Sequence, residues 1–144
     1  MTCIYTYMDN HKVMGTIGES LVVTQVLENQ NNVFTEFGDN CKVDLIVMDS
    51  EGTLHKVQVK ASDRETRSPD VTKLYMKKKG PNGHRYTYTK EDVDWFAVVD
   101  MPTKKIAWIK CCNIEVNELS LRHTEPKSKI KSRMFDEYTN YPFN

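Results

Sequence analysis

The stretch "KVDLIVMDSEGTLHKVQVKAS", Lys42 to Ser62, limits what this chain can fold into more than any other. Two runs rich in apolar and β-branched residues flank Ser50-Glu51-Gly52. A three-residue loop with glycine at its third position marks a type I turn closed by a G1 bulge. The spacing therefore predicts a β-hairpin with arms Lys42–Asp49 and Thr53–Ala61. Closed symmetrically about Glu51, its paired residue numbers sum to 102, and Asp44 faces Gln58. Opposed residues have Cβ atoms about 4.5–5.5 Å apart and share a face. Side chains alternate along a strand, so Lys60 points to that same face one diagonal step away. A carboxylate, a carboxamide and an amine thus converge on one face of the hairpin. The first arm is apolar on both faces, as a central strand is.

The flanking sequence supplies a helix and more strands. In "TIGESLVVTQVLENQNN", Glu19, Val22, Val23, Val26 and Gln30 fall on one helical face, with Glu19 at its N-terminal end. Thr16-x-x-Glu19 also fits a capping box, in which Glu19 serves only the helix start. "VFTEF" suits a strand, and Gly38 a turn. "TKEDVD" suits a short capped turn, and "WFAVVD" and "KKIAWIK" two further strands. Met1 to Met14 reads as irregular, and "IEVNELSL" has no evident place. The expectation is one domain over residues 1–144, with a core of about 14–110 and an extension over 111–144. A chain of 144 residues typically buries about 68–70% of its unfolded surface, enough for a core without staples.

Charge is balanced overall, with 20 basic and 20 acidic side chains, but it is segregated. Met1 to Val59 holds 8 acidic and 3 basic residues, and Ala61 to Lys90 holds 3 acidic and 8 basic. Those eight are Arg64, Arg67, Lys73, Lys77, Lys78, Lys79, Arg85 and Lys90, a candidate phosphate-binding surface. A solvated charge run is the plainer reading. Cys3, Cys41, Cys111 and Cys112 make no C-x-x-C pair, which argues against a zinc finger or a disulfide framework. No run is long enough to cross a membrane, and no basic-then-apolar leader is evident, so a cytoplasmic protein is expected.

A divalent ion held by carboxylate and carbonyl oxygens can activate water and neutralise charge on a phosphate. Asp44 would be its main ligand, Gln58 would offer its side-chain oxygen, and the Val59 carbonyl would complete the set. Lys60 would be the catalytic amine. Glu19 would hold a water on the ion, or a second ion.

With Glu19 on a helix followed by "DNCKVDLIVMDSEGTLHKVQVKAS", the sequence resembles the PD-(D/E)XK nuclease superfamily. "FGDNCKVDLIV", "VQVK" and "EDVDWFAVVD" are similar to its branch of bacterial and phage intron-associated homing endonucleases, over roughly Met14 to Lys110. The resemblance implies an α/β restriction-endonuclease-like core, a helix packed on a mixed central sheet. It implies Glu19, Asp44, Gln58 and Lys60 as active-site residues and Mg2+ as cofactor, with Mn2+ able to substitute. Val43 stands where the family name has proline, and Gln58 where it has an acid. The expected activity is site-specific cleavage of double-stranded DNA by a homodimer or homotetramer in a bacterial or phage-infected cell. Holliday-junction resolution, and DNA binding without cleavage, are the alternatives.

Overall fold

The computed structural model describes residues 10–38, 40–79, 82–113, 117–128 and 131–144, with the side chains at 78, 79 and 113 outside that description. In chain order the elements are α1 (Asn10–Glu28), β1 (Asn32–Thr35), β2 (Leu45–Met48), β3 (Leu54–Ser62), β4 (Val71–Tyr75), β5 (Lys77–Lys79), β6 (Arg85–Thr87), β7 (Trp95–Asp100), β8 (Lys105–Lys110), β9 (Glu118–Arg122) and β10 (Arg133–Met134). No described helix is long and apolar enough to cross a membrane.

The hairpin forms in the expected register: β2 and β3 pair antiparallel from Leu45↔Val57 to Met48↔Leu54, residue numbers summing to 102. Gly52 takes a φ of +82°, the left-handed conformation that the bulge requires and glycine tolerates. β3, not β2, is the middle strand of the main sheet, whose order is β1-β2-β3-β7-β8. β3 and β7 run parallel and the other neighbours antiparallel, so the sheet is mixed.

Strand alternation explains why "WFAVVD" is almost wholly apolar. Ala97 and Val99 join Val22, Val26, Val57 and Val59 beneath α1. Phe96 and Val98 join Leu74, Leu119, Leu121 and Phe135 on the other side, where β10-β9-β4 forms a second sheet. The "ELSL" part of "IEVNELSL" finds its place there, since β9 pairs antiparallel with β4, while residues 114–116 lie outside the described residues. Described residues after Lys110 contribute to both cores: Phe135 is wholly buried in one, and Phe143 packs against Trp108 in the other.

The helix starts at Asn10, earlier than expected, and this removes the capping box. Thr16 lies inside the helix and its Oγ1 donates to Lys12 O at 3.0 Å. The inward stripe is Gly18, Val22 and Val26, while Glu19 is exposed beside it. Gly18 is where the helix seats on β3: a Cβ there would meet Ala61 Cβ at 2.9 Å. At Gly15 it would meet nothing within 4 Å. Alanine is better than glycine inside a helix by about 1 kcal/mol, whereas overpacking costs about 1–3 kcal/mol. Gly15→Ala should therefore raise the melting temperature. Gly18→Ala should lower it, by up to about 8 °C at roughly 2–4 °C per kcal/mol for the net cost. Thermal denaturation of both variants checks the pair, and a stabilised Gly18→Ala would refute the seating.

Candidate active site

The site begins where the sheet loses a strand. β2 pairs with β3 only as far as Val57, whereas β7 pairs with β3 on to Ser62. From Val59 onward, no strand among the described residues pairs with β3 on its β2 side, which leaves an open edge to the ladder there. An unpaired ladder donor at such an edge costs free energy unless it is satisfied. Asp44 satisfies it. The ladder stops one step short of the anticipated Asp44–Gln58 pair, because Asp44 N donates to Val57 O at 3.1 Å. The Asp44 side chain then fills the gap, and its Oδ2 accepts from Val59 N at 2.8 Å and Gln58 Nε2 at 2.5 Å.

Gln58 is only 6% exposed, and its Oε1 is buried with no hydrogen-bond partner among the described residues. Its amide also reaches Val59 O, at 3.5 Å. Asp44, Gln58 and the Val59 backbone are therefore one hydrogen-bonded group. Lys60 joins them by alternation, since Gln58 and Lys60 point away from α1 while Val57 and Val59 pack beneath it. Its Nζ sits over the Tyr88 ring, 5.0 Å from the centroid. Glu19 belongs to the helix on the opposite face, and Gly18 places that helix turn against Ala61. The chain neighbours of Glu19 and Lys60, Gly18 and Ala61, are thus the residues at which α1 and β3 meet.

Sequence reasoning missed the aromatic wall. After β6, Tyr88 is 4% exposed and its hydroxyl has no partner among the described residues. Burial first, and then the charge of Asp44, raise its pKa. One step along β6 the pattern recurs: Lys42 Nζ lies 4.7 Å from the Tyr86 centroid and 2.9 Å from Asp92 Oδ1. The Lys42 hydrogen bond is the main cause that lowers the Asp92 pKa. The signal was present in "RYTYT", whose alternation places Tyr86 and Tyr88 on one face and Arg85 and Thr87 on the other.

The eight basic residues divide. Arg64 is turned inward: its Nε and Nη2 donate to the two oxygens of Asp100, both at 2.7 Å, and its Nη1 to Pro69 O at 2.9 Å. Each of its three nitrogens donates within the fold, which leaves Arg64 less able than its exposed neighbours to meet a phosphate. Lys73 lies between Glu65 (3.3 Å) and Glu118 (3.8 Å), and the Glu65 hydrogen bond is the main cause that raises its pKa. Arg67, Lys77, Arg85 and Lys90 are exposed. Lys77 and Arg85 line an open cavity of about 460 Å3 with Tyr75, Asn117 and Glu118. Lys78 and Lys79 pair through their backbones with Tyr86 and Arg85, and their side chains lie outside the described residues.

The strand edge thus brings together the Asp44 carboxylate, the Gln58 carboxamide and the Val59 carbonyl, with the Gln58 nitrogen facing the other two. The PD-(D/E)XK endonuclease model matches residues 9–143. The chain belongs to the PD-(D/E)XK endonuclease family. Among solved structures it is similar to a bacterial homing endonuclease, with a TM-score of 0.70 at 21% identity over 90% of this chain and 88% of that one. That likeness is one of fold. No curated protein sequence matches the chain significantly.

Family members take divalent metals, and the donor set here suits one. The oxygens of Asp44, Gln58 and Val59 are the hard ligands that Mg2+ accepts. The buried Oε1 of Gln58, without a partner among the described residues, is what a small cation would satisfy. Among the described residues no three His, Cys, Asp or Glu side chains cluster as a ready-made metal site. The set would rest on one carboxylate at its centre, with amide and backbone oxygens beside it.

Proposed function

We propose that this chain is a Mg2+-dependent endonuclease of the homing type that cuts both strands of duplex DNA at a specific site. The observation that carries the reading is the Asp44–Gln58–Val59 group at the open edge of β3, with Lys60 beside it. Asp44, Gln58 Oε1 and the Val59 carbonyl would hold Mg2+, and Glu19 would support it from the helix side. Mn2+ would substitute. When bound, the ion supplies positive charge against the scissile phosphate and polarises the attacking water. Lys60 orients that water and meets the charge that grows on the phosphate oxygens. Gln58 contributes a neutral oxygen where an acid would contribute charge, so the metal should bind tightly only when the phosphate adds its own oxygen.

One chain has one such group, so cutting both strands calls for a homodimer or homotetramer on a near-palindromic target. Domain use follows the same reading: residues 1–144 act as one nuclease unit in the cytoplasm of a bacterial or phage-infected cell. The test is incubation with linear duplex and with a synthetic four-way junction, with Mg2+ and with chelator. Discrete duplex cleavage that chelator abolishes is expected. Cleavage of the junction alone would favour a resolvase, and tight binding with no cleavage a DNA-binding module.

Phosphate contact falls to the exposed basic residues of the β5–β6 ribbon and its flanks. Each neutralised phosphate adds about −0.9 to the slope of log K against log[salt]. Lys77→Ala combined with Arg85→Ala should flatten that slope by roughly 2 units on any duplex. An unchanged slope in a fluorescence-anisotropy titration would move the contact elsewhere.

A further inference from the structure

Lys60 is asked to act at one point in space, yet lysine carries its charge on a flexible four-carbon stem. Misplacing a catalytic group by about 1 Å can cost about a hundredfold in rate. Something must hold the ammonium. Its Nζ lies 5.0 Å from the centroid of Tyr88, inside the roughly 6 Å over which a ring face attracts a cation.

Tyr88 is itself fixed. Its backbone N donates to Met76 O at 3.1 Å. Its ring meets Phe96 edge-on, with centroids 5.5 Å apart at 81°. Phe96 is wholly buried and is the register partner of Gln58 across β3 and β7. One rigid run of contacts therefore leads from the strand pair that carries Gln58, through Phe96, to the ring under Lys60. The Tyr88 hydroxyl has no partner among the described residues, so the fold is not using that end of the side chain.

We propose that Tyr88 is a positioning residue for catalysis, its ring face holding the Lys60 ammonium beside Asp44 and Gln58. The proposal rests on the endonuclease reading above. The working part is the face of the ring. Tyr88→Phe should therefore retain cleavage within about twofold and, by removing a buried unpartnered hydroxyl, leave the melting temperature unchanged or higher.

Replacing Tyr88 by mono-, di- and trifluorinated phenylalanine keeps the shape and progressively drains the ring face. In single-turnover assays with duplex and Mg2+, the rate should fall stepwise, by about 3- to 30-fold in all. DNA affinity and melting temperature should hold across the series. A second readout needs neither metal nor DNA. In protein whose lysines are 13C-methylated, the Lys60 methyl signal, identified by its loss in Lys60→Arg, should lie upfield of the other lysines through the ring current. It should stay there in Tyr88→Phe and rejoin the others in Tyr88→Leu.

A flat response to fluorination overturns the proposal. So does a Lys60 signal among the other lysines in the unaltered protein. So does a Tyr88→Phe variant as slow as the trifluorinated one, since the hydroxyl would then be the working group. An unaltered protein that cuts no DNA overturns the endonuclease reading and the positioning role together. The methyl signal then reports whether the contact itself exists.

Discussion

Lys60→Ala should bind duplex DNA within about threefold of the unaltered chain and cut it about 10²–10³-fold more slowly, the loss seen when a charge-stabilising donor is removed from an active site. Binding and chemistry separate here because affinity is spread over many phosphate contacts, while the amine acts on one phosphate. Folding should survive, since Lys60 is only partly buried and its strand keeps full pairing to β7 from Val57 to Ser62. Single-turnover cleavage, anisotropy and thermal denaturation on one preparation would measure all three. Cleavage at the unaltered rate would reduce Lys60 to an ordinary surface residue. A variant that neither binds nor cuts but melts normally would make Lys60 a binding residue instead.

Much of this site was legible because a hairpin with a glycine-bearing three-residue loop leaves little freedom. Its register fixed which residues lie near Asp44 before any coordinates, and the observed pairs agree. The end of the ladder was not legible. Whether Asp44 pairs through its backbone or tucks its carboxylate under Val59 N depends on where β2 stops, and local sequence does not specify that. The helix was readable as a helix, but its orientation was judged from the valines alone. Gly18 was overlooked as an inward residue because a glycine carries no hydropathy signal; only the close approach of Ala61 gives it meaning. The same limit applies to Tyr88 and Lys60, which lie far apart in sequence and are joined by the β5–β6 ribbon. The inward turn of Arg64 was illegible for the complementary reason. In a run of basic residues nothing local shows that Asp100, thirty-six positions on, takes two of its donors.

That pair carries the other large effect. Asp100 is wholly buried at the end of β7, opposite Ser62 at the end of the strand that bears Lys60. It accepts from Arg64, from Thr103 Oγ1 at 2.5 Å and from Thr72 Oγ1 at 3.3 Å, with His123 Nε2 3.7 Å away. Burial pushes its pKa up, but the hydrogen bonds from Arg64 and Thr103 and the nearby positive charge outweigh it and bring the carboxyl to about 2. Arg64 takes a φ of +61°, unusual for a residue with a side chain, and this network is what holds it there. Asp100→Ala should destabilise the chain by about 3–5 kcal/mol, because it strands a mostly buried guanidinium. At roughly 2–4 °C per kcal/mol the melting temperature should fall by about 6–20 °C. Removing both charges with Asp100→Ala and Arg64→Met should recover most of that loss, since an unpaired buried charge costs more than an apolar replacement. The pH dependence has a definite sign. A carboxyl held below its ordinary 3.8 adds stability that is complete above that value and drains away as the pH falls towards 2. The unaltered chain should therefore lose stability over that window, and the double variant should lose less. Melting curves for the four proteins of the cycle from pH 2 to 7 decide the matter. If the double variant is no more stable than Asp100→Ala, the cost lies in the lost Thr72 and Thr103 hydrogen bonds rather than in the ion pair.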